Sequence, residues 1–187
     1  MSHGVVSSVA VHDVDPHTPA VLQPLAHVLN LLNRAMLGLG MVALLVASLV
    51  LSYSVFSRYF LKASTDWQDE AAVFCLVGAT FLCSAFVQSM RGHVGIEALA
   101  TLLPAGVNRV RLMLVDLMAM LFCGLFTWKS WTLFHEAWVE GQTTSSSWAP
   151  PLWVPYGLMV LGMLLLTLQL AVQLSARINL VAKGGRR

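Results

Sequence analysis

The amino-acid sequence predicts an all-α membrane protein of four transmembrane helices with both termini on the cytoplasmic side. Three observations carry that expectation. Of 187 residues, 57% are apolar and only 11% charged, against about 25% charged in an average soluble domain. Four long runs are nearly free of charge, each approaching the roughly 20 apolar residues that a helix needs to cross about 30 Å of hydrocarbon. Lys and Arg lie mostly on one side of those runs and the aromatic residues on the other.

The chain divides into a polar cytoplasmic tail over 1–24, a transmembrane domain over 25–182 and a basic tail over 183–187. Residues 1–33 contain no Lys or Arg. A secretory signal begins with a basic stretch ahead of an apolar core, so this segment reads as a retained tail. Leu25, Val28, Leu29 and Leu32 recur at helical spacing. They predict either a short interfacial helix or an extension of the first span. The spans are expected at about 35–57, 71–90, 110–131 and 152–176. The third is the least clean, because Asp116 interrupts it and its helix continues through Lys129 and Trp131.

Orientation follows from the loops. Arg34, Arg91, Arg109, Arg111, Arg177, Lys183, Arg186 and Arg187 fall on the N-terminal side, and only Arg58, Lys62 and Lys129 on the other. Short loops rich in Lys and Arg stay in the cytoplasm. All six Trp and all three Tyr lie at or near the opposite boundary, where amphipathic rings settle among headgroups.

The first outer loop carries Arg58 and Tyr59, then Trp67, Asp69 and Glu70. Thr65 and Gln68 form a capping-box pattern, and the acids stand at the positive end of the next helix dipole. Beyond that structural role, the turn is a candidate outer-face anchor or docking point. The cytoplasmic loop holds Arg91, Gly92, His93 and Glu97, a candidate inner-loop or partner interface. Its Arg closes the second helix, its glycines permit a turn, and His93 and Glu97 are spaced to pair. One His and one Glu fall short of the three or four ligands of a metal site. Asp116 is the acid within a span, which marks a functional question by default. Pairing with Arg109, Arg111 or a tail arginine is the structural answer. The second outer loop, with Thr143 to Ser147 and Pro150 and Pro151, reads as a solvated turn leading into a proline-tolerant helix start.

Cys75, Cys83 and Cys123 sit inside apolar runs, with no CxxC pair. No span carries a central His for haem, nor the paired acids or interrupted helices of a self-sufficient transporter. The reading is a non-enzymatic subunit without cofactor, metal or nucleic-acid partner.

The ordered loop residues resemble the DctQ family, the small membrane subunit of TRAP (tripartite ATP-independent periplasmic) transporters. The matching residues are Arg58-Tyr59-Phe60, Trp67 with Asp69-Glu70, Phe81, Arg91-Gly92-His93-Val94, Glu97, Leu103-Pro104, and Pro151, Trp153 and Tyr156. The likeness runs from about Leu25 to Ala176. It departs at Val73, where an arginine is frequent, at Cys83, where glycine is, and in the fourth span, where a proline followed by glycine is common and this chain has Val160, Leu161 and Gly162. The resemblance implies an accessory scaffold for a large membrane subunit that carries the substrate and sodium sites. A periplasmic binding protein would deliver an organic acid, and membrane lipids would surround the assembly in a bacterial inner membrane. The alternative is the small subunit of another multisubunit carrier, such as a tripartite tricarboxylate system.

Overall fold

Long apolar runs with few breakers should propagate as uninterrupted helices, and they do. The computed structural model describes residues 22–62, 66–90 and 105–184. Helix α1 runs Gln23–Phe56 and passes directly into a π-helical turn, Ser57–Leu61. Helices α2 (Asp66–Ser89), α3 (Ala105–Val139) and α4 (Trp153–Gly184) follow. All four are long and apolar enough to cross a membrane.

The helices exceed the expected spans. The stretch from Leu25 to Leu32 is not a separate interfacial helix but the first turns of α1. Pro24, at the first helical positions, needs no helical N–H partner, and nothing after it breaks the ladder. Helix α3 has 35 residues, about 52 Å at 1.5 Å per residue, and therefore overshoots a 30 Å hydrocarbon layer.

In space the order is α1, α2, α4, α3. The α1–α2 and α4–α3 pairs run antiparallel, and the central α2–α4 pair runs parallel, with Gly78, Phe81 and Gln88 of α2 meeting Leu158, Gly162 and Gln173 of α4 in the same order. Helix α1 lies along α2, α2 along α4, and α4 along α3, while α1 meets α4 over a small patch. The central pair is more enclosed. Of the most apolar window of each helix, 28% of α2 and 33% of α4 is buried, against 11% of α1 and of α3. The remaining apolar surface is what a bilayer would cover.

Glycines set the closest approaches. A Cβ on Gly40 of α1 would collide with the Cys83 sulfur of α2, and one on Gly162 of α4 would run into the Phe81 carbonyl of α2. On Gly157 of α4 it would stand 3.3 Å from the Phe134 ring of α3. Each long seam thus has a glycine notch that admits a side chain or, at Gly162, the facing backbone, the device expected where lipid is as apolar as the side chains. Gly38 faces open space. One cluster joins Ala26 and Leu29 of α1 to Ala85 of α2 and Leu165 and Val172 of α4. A second gathers Cys123 of α3 with Met163 and Leu170 of α4, beneath the stacked rings of Phe81 and Phe126.

Candidate partner-binding surfaces

The two ends of the helices differ in chemistry. At the end formed by Phe56, Trp67, Val139 and Trp153, α1 closes in its π turn, and Lys62 leaves it in the left-handed region at φ 49°. The Arg58 guanidinium donates to Asp69 at 3.2 Å, and the Ser54 hydroxyl donates to the other Asp69 oxygen at 3.3 Å. Both charged side chains are more than half exposed. Such a pair is worth about 0–1 kcal/mol, so its role is to pin the start of α2 against the end of α1.

Around this pair the surface is aromatic. Phe60 contacts Phe56 at 4.6 Å and Tyr59 edge-on at 5.1 Å, and Tyr59 itself is widely exposed. Trp67 meets Trp148 edge-on at 6.4 Å, which joins α2 to the loop before α4. Trp138 and Trp153 pack at 5.0 Å where α3 and α4 meet. Gln68 is buried, and among the described residues its Oε1 and the Glu70 Oε2 have no hydrogen-bond donor. Thr65, the other half of the expected capping box, lies outside the described residues. The structure thus brings Arg58, Tyr59, Trp67, Asp69 and Glu70 to one end of the α1–α2 pair.

The loop before α4 has more internal structure than a solvated turn requires. Thr143 bridges Pro151, the Thr144 amide donates to the Pro150 carbonyl at 3.1 Å, and the Leu152 amide donates to Gln142 at 2.9 Å. Ala149, at φ 46°, is held in the left-handed region with its amide bound to the Ser146 hydroxyl. Backbone strain of this kind persists only where surrounding contacts over-determine it. Its visible product is the placement of Trp148 beside Trp67.

At the opposite end, Arg91, Gly92, His93 and Glu97 lie outside the described residues. Asp116 is described and is buried, with its carboxylate 2.7 Å from the Arg177 Nε of α4. The charge expected to need a partner therefore has one, on the last turns of the fourth span. Sequence reasoning missed two further pairs. The Asn33 amide donates to Gln169 at 3.1 Å, and Gln88 and Gln173 exchange two hydrogen bonds, at 2.9 and 3.0 Å. The signal was present: Gln169 and Gln173 stand four apart in a run whose other polar residues nearby are only the small Thr167 and Ser175.

Four membrane-length helices whose polar side chains pair across seams define a multi-pass α-helical membrane protein. Within that class, residues 47–179 match the family model described as tripartite ATP-independent periplasmic transporters, DctQ component. The match covers well over half the chain, and the chain belongs to that family. No curated protein and no solved structure matches it. Membership makes it a transporter component and implies association with a large membrane subunit and a periplasmic binding protein.

Proposed function

We propose that this chain is the accessory scaffold subunit of a sodium-driven, binding-protein-dependent transporter that takes up organic acids across a bacterial inner membrane. Substrate and sodium bind in the large subunit. This chain braces that subunit laterally, with both tails in the cytoplasm. The tryptophan-rich end carrying Arg58, Tyr59, Trp67, Asp69 and Glu70 faces the periplasm and contributes to docking the binding protein. The loop with Arg91, Gly92, His93 and Glu97 contributes to the subunit interface on the inner side.

The observation that supports this reading best, beside family membership, is the destination of the buried polar groups. Asn33, Gln88 and Asp116 each turn to a side chain of α4. Polar groups engaged in holding helices together are those of a scaffold, whereas a carrier aims them at a shared substrate cavity. Asp116, ion-paired with Arg177, acts in assembly rather than in coupling.

Reconstitution tests the proposal. Proteoliposomes containing this chain, the large subunit and the binding protein should accumulate an organic acid under an inward sodium gradient, and omission of this chain should abolish or strongly reduce uptake. Transport by this chain alone, or full uptake without it, would overturn the assignment.

A further inference from the structure

Helix α4 carries Gln169, Gln173 and Arg177 on three successive turns, and each takes a partner from a different helix. Gln169 accepts from Asn33 of α1, Gln173 pairs with Gln88 of α2, and Arg177 pairs with Asp116 of α3. Residues four apart in a helix rise by about 6 Å and advance by about 40° beyond a full turn. The three side chains therefore fan round α4 as they descend it, and long Gln and Arg stems reach three neighbours from one edge. Asn33, Gln173 and Asp116 are all buried.

We propose that this edge of α4 is a register lock, which fixes both the neighbours of α4 and their depth by one polar pair per turn. In lipid, apolar faces have little preference among one another, so hydrogen bonds between helices carry the discrimination. The three rungs are coupled in geometry. Sliding α4 by one turn, about 5.4 Å, separates all three present pairs at once and carries Arg177 away from the level of Asp116, and parting polar pairs at buried sites is costly. The Arg177 rung matters most for α3, which packs extensively only against α4. Helix α1, by contrast, is also held along α2 and by the Gly40 notch.

The test uses the full chain purified in detergent micelles. In a double-mutant cycle of Asn33→Leu and Gln169→Leu, each single change should lower the unfolding midpoint, and the double variant should be no worse than the weaker single variant. Asn33→Leu combined with Gln88→Leu, which breaks two different rungs, should instead show additive losses. In Arg177→Leu, amide hydrogen exchange should rise several-fold over residues 112–120 of α3 while the α1–α2 seam keeps its protection. Additive losses within the Asn33–Gln169 pair, or an even rise in exchange across all helices, would overturn the lock. If Arg177→Leu does not accumulate, the cycle of uncharged side chains decides alone.

Discussion

Replacing Gly162 by alanine should destabilise the chain through a single added methyl group. The new Cβ would press on the Phe81 carbonyl and stand 2.8 Å from the Phe81 Cβ, whereas carbon atoms rest at about 3.5–4.0 Å. The opposing atoms are largely backbone, so no side-chain rotation relieves the contact, and α2 and α4 must part by about 1 Å. Overpacking of this kind costs about 1–3 kcal/mol. Alanine also gains up to about 1 kcal/mol of helix propensity over glycine, which would mask part of the effect. Gly38→Ala is the matched control, because it makes the same exchange in α1 with open space around the new methyl. The difference between the two variants isolates the clash and should be about 1–3 kcal/mol against Gly162→Ala. At about 2–4 °C per kcal/mol for a chain of this size, it should appear as a fall of roughly 5 °C in unfolding midpoint in micelles. Equal stability of the two variants, within about 0.5 kcal/mol, would refute the account of the α2–α4 seam.

Two further outcomes are accessible by simple measurements. Arg58→Ala should cost no more than about 1 kcal/mol, with the loss shrinking as salt is raised, because the pair with Asp69 is exposed and screened; unfolding at low and high salt checks this. Ser145 is exposed in the loop before α4. A cysteine there should react with a membrane-impermeant maleimide added to intact spheroplasts, and labelling only after lysis would reverse the proposed orientation.

The helices were legible because hydropathy over some twenty residues is a property of local sequence. Their lengths were less so. Charge and polar residues mark where a span leaves hydrocarbon, but a helix stops only where its hydrogen-bond ladder is broken. Nothing from Lys129 to Val139 breaks it, so α3 extends well past the membrane boundary that the sequence implies. The spatial order α1, α2, α4, α3 was not legible at all. Spans that are apolar nearly all round have no preferred face in lipid, and the notches at Gly40 and Gly162 look no different in sequence from the open position at Gly38. Of the outer candidates, Arg58 and Asp69 were read separately, and only folding shows that they meet. Asp116 was expected to pair with Arg109, Arg111 or a tail arginine, and the structure shows it against Arg177. The fourth span brings that arginine back to the level at which Asp116 enters the third.

The open row of helices also bears on how this sequence can drift. With α1 and α3 at the edges, side chains such as Leu45, Leu49, Phe122 and Leu125 point away from the protein. Where such a face meets lipid, its identity is constrained chiefly by solubility in hydrocarbon, so Leu, Ile, Val and Phe are interchangeable there over evolutionary time, whereas a face that packs on the large subunit is not free in this way. The information that specifies the fold is concentrated in a few positions: the glycine notches, the rungs of α4 and the tryptophan contacts at one end. Relatives should therefore diverge quickly along the edges while keeping the same spatial order, so that overall identity falls well before the architecture changes.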